Sequence, residues 1–125
     1  MKYLLDTHAL IWYAQGSQEL SSVALELMEN EECFYSVLSL WEIAIKQKLG
    51  KIDEQLSIVT LDDFCRDCRF MRLTLTPEII EATKALDFIH RDPFDRLLIA
   101  QALEEELTII TRDTIIPRYE VKTIW

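Results

Sequence analysis

Glycine and proline are scarce in this 125-residue chain, at two and three residues. That leaves no room for a flexible linker or a glycine-rich phosphate loop, and so excludes a Walker-type nucleotide site. No stretch approaches the about 20 uninterrupted apolar residues that a membrane-spanning helix needs. The N-terminal MKYLLDTHALIWYA places Lys2 before an apolar run, as a signal peptide would. Asp6 and His8 interrupt that run, however, and no small-residue cleavage site follows. The segment reads as a first strand and helix within the fold, and a cytoplasmic protein is expected. Cysteine is also sparse. Three residues, Cys33, Cys65 and Cys68, give an odd number, which argues for a reducing compartment and against a disulfide framework. The CxxC spacing of Cys65 and Cys68 lacks the further ligands that zinc requires. It falls in the helical pattern LDDFCRDCRF, where ordinary helix residues are expected. Positive charge is the last shortage. The net charge is −9, which by itself argues against nonspecific nucleic-acid binding through phosphate contacts.

What the chain does have is apolar content, half of its residues, enough for one core in one domain over residues 1–125. Short β-type runs alternate with amphipathic helical stretches, the pattern of an α/β domain with a mainly parallel sheet. Strands are predicted at 2–6, 33–37, 71–75, 107–111 and 120–124. Helix starts are marked by Ser21 and Ser22, by Ser39 before LWEIAIKQKL with Gly50 as its stop, by Thr76-Pro77-Glu78, and by Asp92-Pro93. The helix after Asp92 is apolar almost all round, as befits one buried between the sheet and another helix.

In such sheets ligands bind beyond the carboxyl ends of the strands, which directs attention to Asp6 and Asp113, each ending an apolar strand. Glu42 and Asp95 fall in the first turns of helices that begin near the same edge. Each acid has an ordinary structural use as well. Ser39 and Glu42 fit a capping box, Asp95 suits a helix dipole, Asp6 suits an N-cap, and Asp113 suits a turn. Spacing alone leaves both uses open. If the carboxylates converge, their repulsion in a partly buried cleft calls for a cation. An all-oxygen site suits Mg²⁺ or Mn²⁺ better than zinc, and such ions activate water for attack on a phosphodiester.

The sequence blocks LLDTHALIW (4–12), SLWEIAIKQKLGKI (39–52), HRDPFDRLLIAQA (90–102) and IITRD (109–113) resemble the PIN-domain ribonucleases. More closely, they resemble VapC-type toxins of toxin–antitoxin pairs, in the family's order and over nearly the whole chain. The resemblance implies a three-layer α/β/α fold around a mainly parallel sheet. It also implies a Mg²⁺- or Mn²⁺-dependent endoribonuclease that leaves a 3′-hydroxyl and a 5′-phosphate. By position it makes Asp6, Glu42 and Asp95 metal ligands and Asp113 a fourth acid, often acting through water. Asp92 is then the helix cap, and Thr7 and Thr111 hold the site through their hydroxyls. An RNA substrate, a cognate antitoxin with a basic arm and a homodimer are the implied partners. A PIN-like module without catalysis, or a Mg²⁺-binding phosphoacceptor receiver domain, are the alternatives. Lys46, Lys48 and Lys51 follow Glu42, and Arg91, Arg96 and Arg112 flank the other acids. Of these, Lys46, Arg96 and Arg112 are the candidate phosphate contacts. His8 is a candidate neighbour of the site, His90 a structural residue before the Asp92 cap. Trp12, Tyr13 and Trp41 are expected in core or interface packing, with RNA stacking the lesser reading.

Overall fold

A computed structural model describes all 125 residues. Five strands, β1 (Lys2–Leu5), β2 (Glu32–Ser36), β3 (Met71–Leu73), β4 (Thr108–Ile110) and β5 (Thr123–Ile124), form one sheet in the order β3-β2-β1-β4-β5. Every pairing is parallel. Six α-helices connect and cover them: α1 (Thr7–Gln15), α2 (Ser22–Asn30), α3 (Val37–Lys48), α4 (Ile58–Asp67), α5 (Pro77–Ala82) and α6 (Pro93–Glu104). None is long and apolar enough to cross a membrane.

Alternation along the strands sorts the core into two layers. From β1, Tyr3 and Leu5 face a cluster built with Leu10 of α1, Met28 of α2, Ile43 of α3 and Leu61 of α4. Leu4 points the other way, to Leu98, Ile99 and Ala102 of α6 and to Ile116. On β4, Ile110 joins the first cluster and Ile109 the second. The result is the three-layer α/β/α arrangement. Five successive α6 residues, Leu98 to Ala102, are buried, as the all-round apolar pattern requires. Cys65 is buried within α4, and burial pushes its thiol up to about 12, so it stays a protonated core residue.

β2 keeps its expected length but starts one residue earlier, at Glu32, whereas the other four strands are shorter than the apolar runs that announced them. The main difference lies in α3, which starts at Val37, earlier than the Ser39 cap suggests. Ser36 takes the capping role, its hydroxyl accepting from Leu38 N at 3.1 Å. Ser39 and Glu42 are therefore interior helix residues, and no capping box forms between them. Gly50, at φ 74°, provides the left-handed exit from α3.

Candidate active site

Strand order decides where the acids meet. β1 lies between β2 and β4, the point at which the chain's direction of winding across the sheet reverses. A crevice opens there at the carboxyl ends. Asp6 follows β1, and Asp113 lies three residues past β4, its neighbour. Helices α3 and α6 close the crevice from either side. The resulting cleft, of about 340 Å³, is lined by Asp6, Glu42, Asp92, Asp95 and Asp113, by His8, His90, Lys46 and Arg112, and by one apolar residue, Trp12.

Each acid is held separately. Asp6 is the N-cap of α1: its Oδ1 accepts from Thr7 N at 2.6 Å, and its Oδ2 accepts from the Thr111 hydroxyl at 2.6 Å. Its structural use and its place in the cleft thus coexist. Burial raises its pKa against the lowering effect of the Thr111 hydrogen bond. Glu42 Oε1 lies 2.7 Å from Thr7 Oγ1, which is also 2.9 Å from Ser39 Oγ. A carboxylate only accepts, so the Thr7 proton goes to Glu42 and Ser39 donates to Thr7. The other oxygen, Oε2, pairs with Lys46 Nζ at 3.0 Å. Asp113 Oδ1 accepts from Ile115 N and Ile116 N at 2.7 and 2.8 Å, forming the predicted turn. Burial works to raise its pKa, but these two amides and His90 outweigh it and the net shift is downward.

The Asp95 carboxyl is strongly perturbed as well. Asp92 caps α6 by accepting from Phe94 N at 2.9 Å, which leaves Asp95 free of that task. Burial first, then the charges of Asp6, Asp92, Glu42 and Asp113, push the Asp95 carboxyl up to about 8.

His90, read from sequence as structural, belongs to the site. Its Nε2 lies 2.9 Å from Asp95 Oδ2 and 3.4 Å from Asp113 Oδ2. Its Nδ1 accepts from Asp92 N at 3.2 Å. In the neutral ring the proton is therefore on Nε2, directed at the two carboxylates. Tyr119 anchors this loop: its hydroxyl accepts from Ile89 N and His90 N at 3.1 and 2.7 Å and donates to Asp87 O at 2.8 Å. The one sequence signal for His90 was its place two residues before the cap.

Of the basic candidates, Lys46 and Arg112 line the cleft. Arg96 does not. Its guanidinium donates to Thr83 O at 3.3 Å and lies 4.8 Å from the Phe88 ring centroid, on the outer side of α6. Trp12 and Tyr13 pack against the larger core cluster, and Trp12 is also the apolar wall of the cleft, whereas Trp41 is 61% exposed and meets Phe94 edge-on.

The chemistry of the donors fits a hard divalent cation, since oxygen dominates and five carboxylates outnumber the two cationic side chains of the cleft. His90 Nε2 with oxygens of Asp95 and Asp113 forms a group within 4.8 Å of one another, a spacing compatible with a metal ion. With its proton fixed on Nε2, His90 is better suited to orienting the two carboxylates than to ligating.

Comparison with known proteins places the fold in a family. The PIN domain family model matches residues 3–122. The chain is 30% identical over 113 residues to Ribonuclease VapC22 of Mycobacterium tuberculosis, covering 88% of this chain and 85% of that protein. Among solved structures, VapBC2 from Rickettsia felis bound to a promoter DNA fragment superposes with a TM-score of 0.70 at 16% identity, over 100% of this chain and 99% of that one. A toxin–antitoxin complex from Klebsiella pneumoniae gives 0.67 at 22% identity, over 98% and 96%. The four sequence blocks, the sheet order and the carboxylate crevice thus have one explanation: the chain belongs to the PIN-domain family, in its VapC group.

Proposed function

We propose that this protein is a divalent-metal-dependent endoribonuclease, the toxin of a toxin–antitoxin pair, acting in the cytoplasm. The observation that carries the reading is Asp95, a buried carboxyl raised to about 8 by the acids around it. A fold keeps so unfavourable a cluster where a cation is to be bound. Asp6, Glu42 and Asp95 would hold Mg²⁺ or Mn²⁺, with Asp113 as the fourth acid. When bound, the ion supplies an activated water and neutralises charge developing on the phosphodiester oxygens.

The chain's own residues set the stage for that chemistry. Thr111 and Thr7 fix the orientation of Asp6 and Glu42. His90 holds Asp95 and Asp113 at one spacing. Arg112 and Lys46 offer cations to the phosphates of RNA at the rim, which answers the objection raised by the overall negative charge. The acidic cleft also suits the basic arm of an antitoxin, and the relatives in toxin–antitoxin complexes support that partner. A homodimer is part of the same reading and is checked by light scattering.

The test is incubation of the purified protein with single-stranded RNAs in Mg²⁺ or Mn²⁺. Cleavage should yield 3′-hydroxyl and 5′-phosphate ends, stop with EDTA, and fall at least about a hundredfold in Asp6→Asn. Cleavage that survives both EDTA and Asp6→Asn overturns the metal site. Binding of RNA or antitoxin without cleavage favours the non-catalytic module instead.

A further inference from the structure

Beside the acidic cleft lies a second one, of about 460 Å³, whose lining includes Gln15, Lys51 and Asp53. His8, Trp12 and Lys46 line both, so the two clefts share a wall. The chemistry changes across it. The acidic cleft repels phosphate unless a cation is present. The second carries two lysines and a single carboxylate, Asp53, already engaged by Gln55 N at 2.9 Å. Lys51 is exposed, and Lys46 bridges back to Glu42 at 3.0 Å.

This second cleft is held open by specific bonds. The buried Gln47 side chain donates to Asp53 O at 2.9 Å and Leu56 O at 2.7 Å, fixing the loop that follows α3 as one wall. Trp12 forms the other. Its indole meets Trp125 edge-on at 5.8 Å and lies 5.4 Å from the His8 ring. The Arg112 guanidinium lies over it at 4.4 Å, held in turn by Glu19 at 2.7 Å. Arg112 thus covers one face of the indole, and it lines only the acidic cleft, whereas Trp12 lines both. A half-buried indole between an acidic cleft and a lysine cleft matches one ligand chemistry, a base carried between two phosphates.

We propose that the second cleft is a nucleotide subsite. A single-stranded RNA runs from it across Trp12 into the acidic cleft. The base beside the scissile phosphate stacks on the Trp12 indole, and the neighbouring phosphate lies at Lys51. The inference rests on the endoribonuclease reading of the acidic cleft. Single strands are specified because a base inside a duplex already has both faces covered, and sequence-tolerant stacking needs one face free.

The probe is a fluorescein-labelled single-stranded oligoribonucleotide bound to the Asp6→Asn protein and followed by anisotropy, with the same sequence annealed as a duplex alongside. Trp12→Leu, which keeps an apolar side chain against Trp125, should weaken single-strand binding about 5- to 100-fold, and Trp12→Phe should restore most of it. Lys51→Ala should weaken binding and lower the slope of log K against log salt by about 0.7. RNA should quench indole fluorescence in the parent and not in Trp12→Phe. Equal affinity for Trp12→Leu and the parent, or for duplex and single strand, overturns the subsite. If melting shows Trp12→Leu to be unfolded, the exposed Lys51→Ala decides alone, and an unchanged affinity and salt slope overturns the proposal. Cleavage assays in the otherwise unaltered protein separate the two levels. No metal-dependent cleavage of any RNA sinks the reading of the acidic cleft, whereas cleavage with unchanged KM in both Trp12→Leu and Lys51→Ala sinks only the subsite.

Discussion

A carboxyl held at about 8 keeps its proton at neutral pH, and Asp95 is such a group because burial and four neighbouring acids disfavour its anion. Its ordinary value, near 3.8, applies to the unfolded chain. Between these values the native state holds a proton that the unfolded state has lost. The associated stability is therefore complete below about 4, declines as pH rises, and is gone above about 8. Asp113, shifted down, has the opposite sign and acts only at the acidic end. Metal-free Asp95→Asn should accordingly melt at least about 5 °C above the parent at pH 8.5 and near it at pH 4, as read by circular dichroism. A flat difference across that range contradicts the assignment. Metal uptake needs the anion, so binding at pH 7 should release about one proton in the parent and none from this site in Asp95→Asn. Calorimetry in buffers of different ionisation enthalpy reads that number. At this scale the acids were legible in the sequence as candidates, because each followed an apolar run or a cap. His90 was not, since its contact with Asp113 spans 23 residues and its place before the Asp92 cap marks it only as structural.

Among the elements, α3 shows how a small shift of register changes a residue's meaning. The sequence marks Ser39 as the cap, but the helix starts two residues after the expected strand's Tyr35, with Ser36 as its cap and Leu38 and Leu40 buried. Once Ser36 caps, Glu42 faces β1 and α1, and its partner becomes Thr7, 35 residues earlier. Thr7→Val keeps the shape but removes the hydroxyl from between Glu42 and Ser39. It should cost about 1–3 kcal/mol in urea unfolding through the unpaired buried groups. Mn²⁺ affinity should fall about 10- to 100-fold, as for losses of groups that orient ligands. A stability loss with unchanged metal affinity would make Thr7 a packing residue only. The caps at Ser21, Thr76 and Asp92 were legible because each carries its own signal within three residues. Two of them add proline at the first helical positions.

For the molecule as a whole, alternating strands and helices announced a parallel sheet, but its order was not local information. That β1 lies beside β4 as well as β2 follows from winding in two directions, and this placement brings Asp6 to Asp113. The charge balance is also global. A surplus of nine negative charges includes the carboxylates pressed together at one crevice, so relieving them should strengthen the entire fold. Mn²⁺ at about a hundred times its Kd should stabilise by about 2.7 kcal/mol, which corresponds to a rise in Tm of roughly 8–15 °C, reversed by EDTA. An unchanged Tm under saturating Mn²⁺ contradicts a native-state cation site.

The hydrogen bond from Thr111 to Asp6 joins residues 105 positions apart, and that separation has a meaning in time. During synthesis at about 5–20 residues per second, Asp6 emerges roughly 5–20 s before the residue that orients it. Asp113 follows Thr111 by two more positions. The nascent chain therefore carries its first carboxylate long before it has a centre able to act, and the cleft is completed only after Thr111 and Asp113 have emerged.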